Sequence, residues 1–254
     1  METADPAARL SAFERDGFLH LPGFLGAAAL AEVRRHLERY LVEVVPALEV
    51  DVYHEDLGQP ETLKQLQQLQ RHDAAFAALA AGAPFERLAE ELLGGPVACR
   101  NLQFFSKPPG AGLPTPPHQD GHYFMIEPCE AVTAWLALDA VDEANGCLRY
   151  VRGSHRAPLR LHARTATLGF SQGIPDYGTP EDLAREVVVT ARPGDLVVHH
   201  ARTIHRAGGN ASAGRPRGAL GFVYYSARAV EDVAAHRAYQ ERLAAELART
   251  GRVR

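Results

Sequence analysis

Pro117-His118-Gln119-Asp120, taken together with His205 far downstream, decides how this chain is read. On a β-strand, side chains at i and i+2 share a face. His118 and Asp120 then converge on one point while Gln119 faces away. Two neighbouring donors do not complete a metal site, so a third must come from another strand. The chain has 12 His, and several compete for that place. His122 continues the same face, but i to i+4 spans about 13 Å at ~3.3 Å per residue. That is too far to share metal bonds of about 2 Å. His155 and His162 flank a polar, Arg-rich loop. His199 and His200 end the apolar run Leu196-Val197-Val198, which predicts that one of them is buried. His205 precedes the turn-like Gly208-Gly209-Asn210 and is the favoured third donor, with His200 the second choice.

Two imidazoles and one carboxylate on one face of an ion, with open positions opposite, are the donor set of non-haem Fe(II) oxygenases. A buried His paired with an Asp accounts for the same short motif without a metal. The surrounding sequence has to decide between them.

At 254 residues, with 46% hydrophobic and 23% charged residues, the chain fits a globular protein with a sizeable core. A net charge of −4 gives no pull towards nucleic acid or an anionic membrane. Cys99, Cys129 and Cys147 form no Cys-x-x-Cys, which argues for a reducing compartment and against a thiolate zinc site. The start, Met1-Glu2-Thr3-Ala4-Asp5, lacks the apolar core of a signal peptide. No run approaches the ~18 apolar residues of a membrane span. A cytoplasmic enzyme acting on a small molecule is the expectation, with oligomeric state left open.

The first part, about 1–95, reads as largely helical. Phe13 to Asp16 belongs to a helix ending at Gly17, and Phe18 to Leu21 reads as a short strand. Apolar residues recur at helical spacing from Ala27 to about Val44. A Gln-rich polar segment runs from Glu61 to Arg71, and helices follow over Asp73–Ala81 and Pro84–Leu93. After Gly95 the pattern turns to strands: Val97–Lys107, Thr133–Leu138, Glu186–Thr190, Leu196–His200 and Ala219–Ser226. Turn signals at Pro108-Pro109-Gly110, Asn145-Gly146, Pro193-Gly194-Asp195 and Gly208-Gly209-Asn210 separate them. Such punctuation predicts one mainly β domain: a jelly-roll core over about 96–228 with helices outside it. The tail from about Val230 to Ala248 reads as a C-terminal helix.

Several blocks in order resemble the phytanoyl-CoA dioxygenase family of Fe(II)/2-oxoglutarate oxygenases. Phe13-Glu14-Arg15-Asp16-Gly17-Phe18 with Pro22-Gly23-Phe24-Leu25 resembles the family's opening. His118 to Phe124 resembles its metal motif. Trp135, Asn145-Gly146-Cys147-Leu148 and Gly153-Ser154-His155 resemble the next block, and Pro193-Gly194-Asp195, His205, Asn210 and Arg217 the last. The resemblance implies a double-stranded β-helix core, Fe(II), 2-oxoglutarate as co-substrate and O2 as oxidant. It implies His118, Asp120 and His205 as metal ligands. Arg217 takes the place of the cation that holds the distal carboxylate of 2-oxoglutarate, a task suited to a planar, permanently charged fork. Arg215 is its rival. Gln103 and Trp135 fall where the family contacts the co-substrate, as does Lys64 or Gln65 near a helical position. Ala207 departs from relatives that carry a hydroxyl two residues beyond the distal His.

The carboxylate at Asp120 favours hydroxylation, or a desaturation or ring-forming variant, because related halogenases have a small residue there. Tyr123, Phe124 and the region near His54 are the expected substrate walls. The long polar connection from Arg156 to Arg192 is the expected cover. Two other readings remain at this point: a jelly-roll metal enzyme that does not use 2-oxoglutarate, and a non-catalytic cupin-like binding protein.

Overall fold

A computed structural model describes residues 5–54, 59–110, 112–164, 172–239 and 241. Helix α1 (Pro6–Asp16) has Asp5 at its N-cap, accepting from the Ala7 N–H, with proline in its first turn. It ends at Gly17, whose φ of +83° is the left-handed conformation glycine adopts without a side-chain clash. A Cβ at Gly17 would also fall 2.4 Å from His155 Nδ1. Strand β1 (Phe18–Leu21) follows, then α2 (Ala27–Glu43), which buries Leu30, Val33, Leu37 and Tyr40 along one face. Next come β2 (Val52–His54), β3 (Leu63–Leu66), α3 (Leu69–His72), α4 (Ala74–Ala80) and α5 (Phe85–Leu93). The Gln-rich segment is thus a strand followed by one helical turn, and β2 and β3 extend the main sheet from within the helical part.

The β-rich part holds β4 (Val97–Lys107), β5 (Thr115–His118), the turn-length helix α6 (Gly121–Phe124), β6 (Ile126–Glu127), β7 (Ala131–Ala137) and β8 (Leu148–Val151). It continues with β9 (Ala163–Arg164), β10 (Gln172–Gly173), α7 (Pro180–Arg185), β11 (Glu186–Val189), β12 (Leu196–His200), β13 (His205–Ala207), β14 (Arg217–Ser226) and β15 (Val230–Glu231). Two antiparallel sheets dominate. One has the order β1-β12-β7-β14-β4-β3-β2 and the other β11-β8-β13-β5. Pairing is non-consecutive in the smaller sheet and across β1-β12-β7-β14-β4, as a jelly roll requires, while β4, β3 and β2 pair in sequence order.

Alternation along the strands explains the layers. Ala134, Leu136, Val198, Leu220, Phe222 and Leu102 point to one side and pack with α2, α4 and α5. Trp135, Val197 and Ala219 point to the other and meet Tyr150 and Val189 of the smaller sheet. Strand β7 is therefore buried at all seven positions, the mark of a strand covered on both faces. Among the described residues, no helix is long and apolar enough to cross a membrane.

The Arg156–Arg192 connection contains β9, β10, α7 and β11 rather than one irregular loop. Its residues 165–171 lie outside the described set. Of the expected C-terminal helix, residues 233–239 are helical, while most of the remainder also lies outside the described residues.

Glu186 clamps the smaller sheet. Its carboxylate accepts from Arg206 Nε and Nη2 at 2.7 Å each, from Arg149 Nη1 at 3.1 Å, and from the Tyr177 hydroxyl. Burial opposes its charge, but the bonds from Arg206, Tyr177 and Arg149 outweigh it and draw the carboxyl down to about 2. Glu186→Gln is expected to cost about 1–2 kcal/mol at pH 7, discounted because both arginines are partly exposed. A depressed carboxyl contributes stability above its unfolded value, and that stability fades as pH falls through the folded one. The gap between variant and wild type should therefore close between about pH 4.5 and about 2. Urea denaturation at both ends of that window checks it, and an undiminished gap at pH 2 would contradict it.

Candidate active site

His118 is the last residue of β5 and His205 the first of β13, and the two are directly paired across the smaller sheet. Each imidazole is fixed through Nδ1. His118 Nδ1 donates to the Pro116 carbonyl at 2.8 Å and His205 Nδ1 to the Thr203 carbonyl at 3.0 Å. A neutral imidazole that donates through one nitrogen presents a lone pair on the other. Both Nε2 atoms turn towards Asp120 Oδ1, at 3.4 Å and 3.6 Å. Donor atoms of His118, Asp120 and His205 lie within 4.8 Å of one another, close enough to share one ion.

Asp120 does not sit on the strand. It lies beyond the end of β5 in αR conformation, φ −58° and ψ −35°, as the cap of α6. A turn rather than an i, i+2 strand face brings its carboxylate beside His118. Gly121 makes that turn possible: its N–H donates to the Ala201 carbonyl at 2.8 Å, and a Cβ there would fall 2.5 Å from Cys129 Sγ. Gln119 is fully buried and bonds away from the site, to the Arg202 carbonyl and the Arg160 N–H. The same turn removes the distance argument against His122. His122 stays outside the cluster for a different reason, being stacked on His162 and bonded to Gln172 Oε1 at 2.8 Å. His200 points away from the cluster and packs near Phe13 and His155.

The electrostatics suit a cation. Burial, and then His118 and His199, push His205 well below the usual imidazole range, so it is neutral. Burial opposes ionisation of Asp120, but His205, His118 and His199 around it hold its carboxyl well below the usual carboxylate range. The Asp120 carboxylate and the Nε2 atoms of His118 and His205 face a common point.

That point opens into a cavity of about 630 Å³, within the range of small-molecule sites. The inward-facing residues of four neighbouring strands line it: Gln103 and Phe105 of β4, Thr133 and Trp135 of β7, His199 of β12, and Arg217 of β14. Arg217 is 5% exposed, and its Nε is buried without a hydrogen-bond partner. Its guanidinium lies 5.7 Å from the Trp135 ring centroid. The backbone around Arg217 is pinned on several sides. Gly218 N–H donates to Asp139 Oδ2 at 2.7 Å, and Asn210 Nδ2 donates to the Arg215 carbonyl at 2.8 Å. Arg215 is exposed and paired with Asp142 at 2.8 Å.

Tyr123 and Phe124 line the cavity from α6. Two expected residues do not. Residues 63–66 are a strand, not a helix, so Lys64 shares the face of Leu66, which joins the helix-side core. Gln65 takes the cavity face and donates to Gln103 Oε1 at 2.7 Å. On β2 the lining residue is Tyr53 rather than His54. No described residue of the Arg156–Arg192 connection lines the cavity, whereas His236 and Tyr239 do. Thr133 is not singled out by the sequence and His199 only as a competing donor, yet both bond Asp120. Each shares strand parity with a recognised inward residue: Thr133 with Trp135, and His199 with Val197.

A jelly roll carrying a His-Asp-His site at the mouth of its smaller sheet defines a metal-binding class. Within that class, the chain belongs to the phytanoyl-CoA dioxygenase (PhyH) family, whose model matches residues 13–219. It is 28% identical over 217 residues to the peroxisomal phytanoyl-CoA dioxygenase of Bos taurus, covering 80% of this chain and 63% of that relative's length. It is 26% identical to a "Probable alpha-ketoglutarate-dependent hypophosphite dioxygenase" of Stutzerimonas stutzeri, covering 79% and 72%. The solved structure of the epimerase SnoN, in complex with Fe3+, alpha ketoglutarate and nogalamycin RO, superimposes with a TM-score of 0.72. It is 31% identical and covers 89% of this chain and 87% of that one.

Proposed function

We propose that this chain is an Fe(II)- and 2-oxoglutarate-dependent oxygenase that oxidises an unactivated C–H bond of a small molecule, most simply by hydroxylation. The observation that carries the reading is the pair of Nδ1-tethered imidazoles aimed at one oxygen of Asp120, with a buried, unsatisfied Arg217 across the same cavity. His118, Asp120 and His205 hold the metal. Arg217 holds the distal carboxylate of 2-oxoglutarate, which the orphaned Nε fits. Trp135 walls the co-substrate and keeps water off it. Gln103 approaches from the side, its Oε1 engaged by Gln65, which leaves its Nε2 to donate into the cavity. The charges close: a divalent iron, the Asp120 carboxylate, a doubly charged co-substrate and Arg217 sum to zero, so the buried site needs no further counter-ion.

Bound iron and 2-oxoglutarate supply O2 activation and C–H oxidation, leaving succinate and CO2. The protein's part is geometry and exclusion of water. Tyr53, Tyr123, Phe124 and Tyr225 wall the remaining space, where the substrate lies. Among the arginines that line the cavity, Arg100 is paired with Glu231 and Arg217 is committed to the co-substrate, which leaves Arg71, a small complement for a polyphosphate such as coenzyme A. A small natural-product or amino-acid-derived substrate suits the space better. Two similar proteins support the reading: SnoN is described in complex with alpha ketoglutarate, and the Stutzerimonas relative is named as dependent on it.

Anaerobic addition of Fe(II) and 2-oxoglutarate should give a weak visible absorption band that neither component gives alone. Succinate release that depends on the candidate substrate then names the substrate class. A metal enzyme indifferent to 2-oxoglutarate, or a cupin-like binder, would show no band and no 2-oxoglutarate binding.

A further inference from the structure

Asp120 offers two oxygens, and the protein treats them differently. Oδ1 faces His118 Nε2 and His205 Nε2 at 3.4 Å and 3.6 Å. Oδ2 is turned the other way and accepts two hydrogen bonds, from Thr133 Oγ1 at 2.6 Å and from His199 Nε2 at 3.0 Å. His199 is 2% exposed and lies at the inward-facing end of β12. Its other nitrogen, Nδ1, is 3.0 Å from the Tyr150 hydroxyl. Tyr150 is fully buried on β8, on the opposite sheet. A chain therefore runs from one sheet to the other: Tyr150, His199, Asp120 and Thr133.

The chemistry of the donors fixes its direction. A carboxylate oxygen can only accept, so His199 Nε2 carries the proton. With that proton at Nε2, Nδ1 is left to accept, and the Tyr150 hydroxyl donates to it. Tyr150 thus selects the tautomer that serves Asp120, as an outer carboxylate or carbonyl does for a metal-bound His.

We propose that His199, set by Tyr150, is a positioning residue that occupies Oδ2 of Asp120 and so commits the carboxylate to the metal through Oδ1 alone. The proposal rests on the iron site described under the proposed function. Its consequence is a site kept open. A carboxylate gripping iron with both oxygens would take a position that co-substrate or O2 needs, and to do so it would have to give up both Oδ2 bonds. Thr133 alone is one donor on a rotatable hydroxyl. The ring of His199, held at both nitrogens, is the rigid one.

The test begins with wild type. Absence of the anaerobic band there overturns the iron and 2-oxoglutarate reading itself, independently of His199. With the band present, three variants decide the inference. His199→Phe keeps the volume and removes both nitrogens. Fe(II) binding should weaken by roughly 10–100-fold, as removal of such a partner typically does. The band should shift, and more succinate should be made per substrate oxidised. His199→Gln places an amide N–H near the position of Nε2 and should restore most of the affinity, the band position and the coupling. Tyr150→Phe leaves the ring in place and should move the band in the same direction as His199→Phe, by less. If His199→Phe does not fold, the other two decide alone: a band unmoved in Tyr150→Phe overturns the proposal. So does a His199→Phe protein with wild-type affinity, band and coupling, which would make His199 a packing residue. Loss of bound metal in both His199→Phe and His199→Gln also overturns it, because His199 would then be a ligand.

Discussion

Asp120→Ala should abolish substrate oxidation, with Fe(II) affinity lowered by roughly 10²–10⁴-fold. Asp120 is the only anionic donor of the His118, Asp120 and His205 set. Without it a divalent ion faces two neutral imidazoles in a buried site, and removing one partner of a buried charge pair costs about 3–5 kcal/mol. The variant also strands two buried donors, Thr133 Oγ1 and His199 Nε2, so some loss of folding stability accompanies the loss of metal. Asp120→Asn separates the two effects. Its carbonyl oxygen can replace Oδ2 and satisfy Thr133 and His199, while its NH2 group points at the Nε2 atoms of His118 and His205, where the ion belongs. That protein should fold with near wild-type stability and bind little iron. Metal analysis after anaerobic gel filtration, thermal melting and succinate assay together check the pair. Full turnover in Asp120→Ala would sink the ligand assignment.

The two variants also mark what the sequence could and could not reveal. The residue types and order of the site were legible through several blocks that together resemble the family, because the short His-x-Asp motif alone fits a buried His-Asp pair as well. The strand logic attached to the motif was not correct. β5 ends at His118, and Asp120 sits in a helical turn. Local periodicity cannot see a strand end that depends on Gly121 fitting against Cys129 and Ala201. The choice between Lys64 and Gln65 failed for a related reason. Helical register and strand alternation assign them to different faces, and only pairing of β3 with β2 and β4 makes 63–66 a strand. His199 lay in plain view at the end of an apolar run, yet its value depends on Tyr150 from another sheet. The strands of the core were easier to read: β7, β12 and β14 each overlap a run expected to be strand. The flanking β2 did not declare itself, because three residues carry too little pattern.

Arg217→Met should raise the KM for 2-oxoglutarate by roughly 10²–10³-fold while making the protein without co-substrate more stable. Truncating one partner of a buried, hydrogen-bonded charge pair costs about 3–4 kcal/mol of binding. The gain in stability has a separate cause. Burial pushes the Arg217 guanidinium down to about 10, with only weak support from Asp139 and Cys147. In the free protein this is a charge taken from water and left poorly compensated, so an apolar side chain of similar length should stabilise the fold by about 1–2 kcal/mol, roughly 2–8 °C in melting temperature. The pH dependence follows from the sign of the shift. The folded protein releases this proton before the unfolded chain does, so the penalty is relieved only as pH rises above about 10. Between pH 6 and 9 the stability difference should therefore stay constant. 2-Oxoglutarate should raise the melting temperature of wild type and leave that of Arg217→Met almost unmoved. Arg215→Met, whose charge is exposed against Asp142, should bind 2-oxoglutarate like wild type. If Arg215→Met loses the co-substrate and Arg217→Met keeps it, the anchor has been placed on the wrong arginine. If neither loses it, the cavity does not hold a dicarboxylate in this way. A variant that melts higher yet binds co-substrate worse is the outcome expected of a cation held in the fold for its ligand, because a purely structural arginine would lose stability when replaced.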